Sequence, residues 1–315
     1  MSRPRAVLGQ LSDADWRLLR VFLSVVDCGG MTAAELELNI STSTISRHVK
    51  DLEARLGLVL CRRGRAGFAL TPAGERIVSE SRALLAATDR FRASVDELHQ
   101  RLGGDVHVAV FDKTASNPQA RIAQAVSAFR RAAPAVVLHL HVDTIQGVER
   151  GVMEGRYHMG VIPEHRRSDT LLYDDLFGEQ MWLYAGHSHP LFAHPEPLNW
   201  SDIRQHAFAG LGYHSPNMEL SHRERLTRQA TASDQESVAT LILSGDFVGF
   251  LPDHYAETFV QKGLMRPLGE GSLGYPCRFA MIVRRSPAPS AEVQLLHRCL
   301  LAAHQTQKSP PVGGL

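Results

Sequence analysis

Cysteine is scarce: Cys28, Cys61, Cys277 and Cys299 are the only four in 315 residues, and no two of them form a CxxC pair. This argues against a disulfide framework. The thiols read as reduced and mostly packed, as in a cytoplasmic protein, with an isolated redox-sensing cysteine as the rarer alternative. Long apolar runs are missing too. None approaches the roughly 20 residues of a membrane-spanning helix. The first apolar stretch is broken by Asp13, Asp15, Arg17 and Arg20, which no secretory leader tolerates. Catalytic signatures are not expected either: no G-x-S-x-G elbow, no P-loop and no dinucleotide-binding G-x-G-x-x-G is read, and nothing supplies a nucleophile with a partnered base. Sixteen histidines invite a metal site, and His187-Ser188-His189 with His194 is the densest group. No carboxylate stands at a ligand-like spacing beside it, so neither metal nor cofactor is expected. No enzyme is indicated.

What the chain does have is a globular balance, 44% apolar and 21% charged, and enough length for two or more domains with real cores. The net charge of +1 hides an asymmetry. Residues 1–103 carry 15 Lys and Arg against 12 Asp and Glu, net +3, and the remainder 19 against 21, net −2. Within residues 41–76 the count is 7 against 3, net +4. Positive charge thus gathers in one short segment, as binding to a polyanion requires.

That segment is also the most ordered in pattern. Thr32 followed by Glu35 has the spacing of a capping box and predicts a short helix starting at Thr32. Ser41 then caps a second helix, with Ile45, Val49, Leu52 and Leu56 on one face and Gly57 at its end. Two short helices joined by a tight turn describe a helix-turn-helix. The second helix opens with hydroxyls and a cation: Ser41, Thr42, Ser43, Thr44, Ser46, Arg47 and then Lys50. Hydroxyls and Arg suit base edges, and a helix N-terminus suits a phosphate. Thr32, at the start of the first helix, joins this set. Arg62, Arg63 and Arg65 lie between two short apolar runs and read as the basic tip of a β-hairpin wing. Ahead of all this, Ser12 and Asp15 cap a supporting helix with Trp16, Leu19, Leu23 and Val26 on its apolar face.

The run Gly29-Gly30-Met31-Thr32-Ala33-Ala34, then Leu38, Ser41, Ser43-Thr44-Ile45-Ser46-Arg47, Leu52-Glu53, Leu56-Gly57, Leu60, Arg62-Arg63 and Leu70-Thr71-Pro72-Ala73-Gly74 resembles the winged helix-turn-helix of the LysR-type transcriptional regulators. Met31, Glu35 and Cys61 depart from the family's usual Phe, Ala and Phe. Met and Cys are conservative packing choices.

Thr71-Pro72 starts a further helix, with no Gly or Pro between Gly74 and Gly103-Gly104. Ile77, Ser81, Leu84, Thr88, Phe91, Val95, Leu98 and Leu102 recur through it at spacings of four and three, a coiled-coil seam. A homodimer through residues 77–102, or a dimer of dimers, is expected, in agreement with the linker helix of the family. Two-fold symmetry would set two reader helices on an interrupted palindrome in double-stranded DNA.

From Asp105 strand and helix alternate. Strands are expected at Val106–Phe111, Val136–Val142 and His158–Ile162, with helices at Pro118–Ala132 and Ile145–Glu154. Further strands are expected at Met181–Tyr184, Ala207–Leu211, Ala230–Ala232, Val248–Leu251 and Pro276–Val283. Helices are expected at Met218–Gln229, Gln235–Leu243, Tyr255–Lys262 and Ala291–Ala303. The order of Phe129, Pro134, Gly155, Gly160-Val161-Ile162-Pro163, His189-Pro190-Leu191 and Gly249-Phe250-Leu251-Pro252 resembles the LysR effector region, itself similar to periplasmic binding proteins.

The expected architecture is thus α/β overall, with residues 1–71 a winged helix-turn-helix, 72–104 a linker helix and hinge, and 105–305 a two-lobed effector domain. The resemblance implies one lobe of about 105–165 plus 271–305 and another of about 166–270, with 306–315 a disordered tail. Ligands in such sheets lie at the carboxyl ends of strands, which singles out Lys113, Thr114, Ser116, Thr144, Pro163 and Tyr213 for a small-molecule effector. Asp112 departs from the hydroxyl-rich loop that the resemblance implies. The function expected is a cytoplasmic, sequence-specific DNA-binding regulator, without membrane partner, that meets RNA polymerase if it activates. Effector binding between the lobes would shift their orientation and the spacing of the DNA readers. The alternative is a solute-binding protein or small-molecule enzyme with an accessory helical domain.

Overall fold

A computed structural model describes residues 11–64, 67–98, 102–195 and 197–305. The chain divides into two compact units, Met1–Asp89 and Arg90–Leu315.

The first unit is built on three helices and a hairpin: α1 (Asp13–Asp27), α2 (Met31–Leu38), α3 (Thr42–Leu56), β1 (Cys61–Gly64) and β2 (Gly67–Leu70). Ser12 caps α1, its backbone N–H and hydroxyl both donating to the Asp15 carboxylate at 2.8 and 2.7 Å. Asp15 is fully buried and forms an ion pair with Arg55 near the end of α3, so one carboxylate fixes both helices. The buried face of α1 is Leu18, Leu19, Phe22 and Val25, packed on Ile45, Val49, Leu52 and Leu60. Trp16 and Val26 are only half-buried, so the face lies about one residue away from the predicted one.

Helix α2 starts one residue earlier than expected, at Met31, with Gly30 at its N-cap. The Thr32–Glu35 capping box does not form. Glu35 instead accepts from the Thr42 backbone N–H (3.2 Å) and hydroxyl (2.6 Å), which ties the first helix of the pair to the start of the second. Gly57 ends α3 at φ +65°, where a side chain would be strained. Glu53 accepts from the backbone of Leu60 at 2.7 Å and holds the start of the hairpin. Helix α4 (Pro72–Leu98) follows, and Thr71 caps it by accepting from Gly74 N–H at 3.0 Å. A Cβ at Gly74 would stand 2.0 Å from the Leu60 carbonyl oxygen, so the helix can approach the hairpin only with glycine there. Ile77, Val78, Leu84 and Leu85 pack on the core of this unit, so part of the predicted seam is used at home. Phe91 is 71% exposed.

The second unit is one mixed sheet of nine strands with helices on its faces. Its strands are β3 (Gly104–Val110), β4 (Val136–Val142), β5 (Met159–Pro163), β6 (Leu171–Gly186), β7 (Phe208–Leu211), β8 (Arg228–Ala232), β9 (Val248–Pro252), β10 (Met265–Pro267) and β11 (Gly274–Arg284). Their order is β4-β3-β5-β11-β6-β9-β7-β8, with β10 on β6. Strands β3, β4 and β5 run parallel in one lobe and β7, β8 and β9 in the other. Strands β6 and β11 form a long antiparallel pair that passes between the lobes, with a register shift between Phe279 and Ala280. The helices are α5 (Ile122–Ala132), α6 (Ile145–Glu154), α7 (Trp200–Ile203), α8 (Pro216–Arg223), α9 (Gln235–Leu243), α10 (Asp253–Gln261) and α11 (Ala291–Gln305). Phe129, Phe208, Phe250, Phe279, Ile145 and Ile162 are its largest fully buried side chains.

Three expected elements differ. Helix α5 begins at Ile122 and not Pro118, because Asn117 accepts from Gln119 N–H (2.8 Å) and holds a turn there. Helix α8 stops at Arg223, since Arg225 takes a left-handed φ of +56°, and Gln229 belongs to β8. Strand β6 runs for 16 residues where Met181–Tyr184 alone was expected. Leu102 lies in the described chain, but residues 99–101 of the predicted linker and the predicted tail at 306–315 lie outside it. No helix among the described residues is long and apolar enough to cross a membrane.

Candidate nucleic-acid interface and ligand cleft

The second helix of the pair, α3, presents two faces. Ile45, Val49 and Leu52 are buried. Ser43, Arg47 and Lys50, at spacings of four and three, are exposed together on the other side. Ser41 caps the helix in an extended conformation (ψ 148°), and its hydroxyl meets those of Ser43 at 3.0 Å and Thr44 at 2.9 Å. The predicted hydroxyls are therefore brought to one helix end, where free N–H groups and the dipole favour an anion. Thr42 is the exception, since its hydroxyl already donates to Glu35. Thr32 is exposed on α2. Arg62 is exposed on β1, where it pairs with Ala69, and Arg63 pairs with Phe68. Arg65 lies outside the described residues.

In the second unit, the loop after β3 meets the other lobe. Asp112 accepts from the Gln235 N–H at the start of α9 through Oδ2 (2.7 Å). Lys113, at φ +60°, forms an ion pair with Glu236 and lies over the Tyr255 ring at 4.5 Å, so the predicted effector lysine is held by the opposite lobe. Ser116 Oγ is 2.9 Å from His254 Nδ1. His254 in turn reaches Glu179 on β6 at 3.1 Å. Thr114 is buried in the same loop. Thr144 caps α6 after β4, with its hydroxyl accepting from Gly147 N–H at 3.1 Å. Pro163 closes β5, and beyond it the His165 ring lies 5.3 Å from that of His214 in the other lobe. Tyr213, next to His214, has a buried hydroxyl with no hydrogen-bond partner. A cavity of about 360 Å³ beside the hinge strands is lined by Asn117, Gln119, Glu179, His254, Cys277 and Arg278, a size that fits a small metabolite.

Burial pushes the Asp112 carboxyl up to about 6. It also raises Glu179 and Glu149, and pushes the Tyr213 and Tyr275 hydroxyls well above their usual range. Glu179, Asn217, Gln235 and Tyr275 are absent from the sequence-based set. They stand in strands or near helix starts, Tyr275 more than thirty positions from the chosen loops, and no local motif marks them.

His187, His189 and His194, the densest histidines in sequence, form no metal-binding group among the described residues. His189 accepts from Leu191 N–H at 3.1 Å and caps a short turn. Histidines gather instead on the sheet edge: His107 stacks on His139 at 4.3 Å and on His141 at 5.5 Å, with His158 at 5.8 Å. Among the described residues no group of three or more His, Cys, Asp or Glu is placed to hold a metal. Contrary to the expected absence of that motif, Gly269-Glu270-Gly271-Ser272-Leu273-Gly274 fits the G-x-G-x-x-G spacing. It lies between β10 and β11, not between a strand and a helix, so it lacks the context of a dinucleotide site.

A capped recognition helix with a basic hairpin, joined to a two-lobed α/β unit with a polar interlobe cleft, defines a ligand-responsive DNA-binding regulator. Comparison with known proteins agrees. The model of the LysR substrate binding domain matches residues 99–305, and that of the bacterial regulatory helix-turn-helix protein, lysR family, matches residues 16–75. The chain is 38% identical over 284 residues to the HTH-type transcriptional activator BauR of Pseudomonas aeruginosa, covering 90% of this chain and 93% of that one. It is 27% identical to the nitrogen assimilation regulatory protein nac of Escherichia coli, covering 88% and 92%. Full-length CbnR complexed with its target DNA has a similar fold, with a TM-score of 0.61 at 19% identity over 92% of this chain and 99% of that one. The chain belongs to the LysR family of transcriptional regulators, DNA-binding proteins with an effector-binding domain and not enzymes.

Proposed function

We propose that the chain acts in the cytoplasm as a homodimer, or a dimer of dimers, on an interrupted palindrome in double-stranded DNA. Residues 1–71 read the DNA, 72–104 join the protomers, and 105–305 take the effector. The observation that carries this reading is the exposed row Ser43, Arg47 and Lys50 beside the Ser41 cap. Arg47 contacts a base edge, while Ser41, Thr44 and Ser46 stand at the helix end to meet phosphate or base. Thr42, bonded to Glu35, positions the helix and offers only its acceptor side. Thr32, Lys50, Arg62, Arg63 and Arg65 contact the phosphate backbone. The exposed Phe91 supports a role for the distal part of α4 in the dimer contact.

The effector lies between the lobes, against Thr114, Thr144, Pro163 and Tyr213, with Lys113 and Ser116 bridging the cleft mouth. Its binding shifts the lobe orientation and so the DNA readers. BauR carries the name of an activator, which supports activation, with RNA polymerase as a partner, for this chain.

Two variants test the DNA assignment. Arg47→Ala should weaken binding by about 1–3 kcal/mol and relax selectivity at one base position. Arg63→Ala should weaken binding to every sequence alike and reduce the slope of log K against log salt by about one. Both are read by fluorescence anisotropy on a duplex from the upstream region of the chain's own gene. Unchanged affinity in both variants contradicts the assignment.

A further inference from the structure

The interlobe cleft holds several buried polar atoms without hydrogen-bond partners. Asp112 uses Oδ2 for the Gln235 N–H, but its Oδ1 is buried and has no partner. Gln235 Oε1, both amide atoms of Asn217 and the Tyr213 hydroxyl are buried and unpartnered as well. Gln235 and Asn217 are each only 2% exposed, so solvent does not supply the missing bonds. These residues come from both lobes and lie close together. Asp112 acts on Tyr213 electrostatically, Tyr213 on Tyr275, and Tyr275 stands beside Asn217.

Carboxylates outnumber cations in the same place, where Asp143 pairs with Arg156 and Glu179 with His254. Glu179 lies near enough to Asp112 to oppose its ionisation, and Asp143 and Asp234 act on Tyr213 in the same sense. The nearest cation, Lys113, is committed to Glu236. Among the described residues Asp112 accepts from the Gln235 N–H and forms no ion pair with Lys or Arg. A buried carboxylate oxygen without a donor is costly, and natural proteins retain such atoms where function uses them.

We propose that the effector is a small molecule bearing a protonated primary amine, whose ammonium group binds Asp112 Oδ1 with Tyr213 and Gln235 or Asn217 completing its shell. This rests on the reading that the effector lies between the lobes, and narrows it. An ammonium group has three donors and no acceptor, which matches the free carboxylate and amide oxygens, Asp112 Oδ1 and Gln235 Oε1. A carboxylate placed there would add a negative charge to a buried site that already struggles to ionise its own. Burial raises Asp112 to about 6, so it is charged and ready for a cation at pH 7.5 and neutral at pH 5.

The test is thermal denaturation of the full-length protein with length-matched compounds: butylamine and 4-aminobutyrate, a wider set of small primary amines and amino acids, and the corresponding deaminated acids. At least one amine should raise Tm by roughly 3–8 °C at pH 7.5 when well above its Kd, and the shift should vanish at pH 5. Asp112→Asn, which can still accept from Gln235, should weaken that binding by about 30-fold or more. Should Asp112→Asn fail to fold by circular dichroism, Tyr213→Phe removes the hydroxyl alone and should weaken it measurably. Shifts from deaminated acids alone overturn the amine while leaving an interlobe effector intact. Amine shifts of equal size in the variants also overturn it. No shift from any compound overturns both.

Discussion

Asp112 carries a cost in the ligand-free protein. Its folded pKa of about 6 lies above the unfolded value of 3.8, so between those values the native state holds more protons and stability falls as pH rises. The full cost stands above pH 6. Asp112→Asn should therefore stabilise the ligand-free protein by roughly 1–3 kcal/mol at pH 7.5, and by much less at pH 4, in urea unfolding. A less stable variant at pH 7.5 would mean that the charge is compensated in place. The two ends of the molecule differ in how far such residues are legible. The proposed DNA-reading set is local in sequence: Ser41, Ser43, Arg47 and Lys50 span ten residues on one helix, and helical period alone brings three of them to one face. The cleft is not local. Asp112 and Gln235 are 123 residues apart and meet through one hydrogen bond. Asn217 and Gln235 read in sequence as ordinary helix-start polar residues, and only their burial reveals more.

A few elements were legible to the residue. Thr144 and Gly155 bound α6, Asp234 caps α9, and the apolar run of β4 ends where expected. Elements whose limits depend on distant partners were not. Strand β6 carries Asp174, Asp175, Gly178 and Glu179, which read as a loop, yet β11 pairs with it over its first twelve residues. At the β4 edge of the sheet, β3 and β4 bring His107, His139 and His141 together, 107↔139 in register, with His158 and Asp105 alongside. The His107 Nδ1 and His141 Nε2 atoms lie 3.2 Å apart, so at least one ring is neutral and accepting. Burial, then the neighbouring histidines, lower His107 to about 4, and burial lowers His141 and His158. Between pH 6.5 and 4 the unfolded chain takes up a proton that the folded edge refuses, so this edge loses stability as pH falls. The midpoint urea concentration should drop between pH 7 and pH 5, and His107→Asn should flatten the drop. An unchanged slope in the variant would show that the cluster does not govern it.

At the scale of the molecule, the two units divide the work along the charge asymmetry visible in the sequence. Residues 41–76 hold 7 Lys and Arg against 3 Asp and Glu, where a polyanion is read. The cleft instead gathers Asp112, Glu179, Asp143 and Asp234, where a cation fits. The resemblance covered both parts from the reader's spacing and the order of α/β motifs, whereas the sign of the cleft's charge needed the folded chain. The most direct test is anisotropy of the full-length protein on its own upstream duplex and on a scrambled duplex, at 50 and 200 mM salt. Binding should be tighter to the upstream duplex by at least about 10³-fold, and should fall steeply with salt on both. Equal affinity for the two sequences at both salts would contradict a sequence-reading regulator.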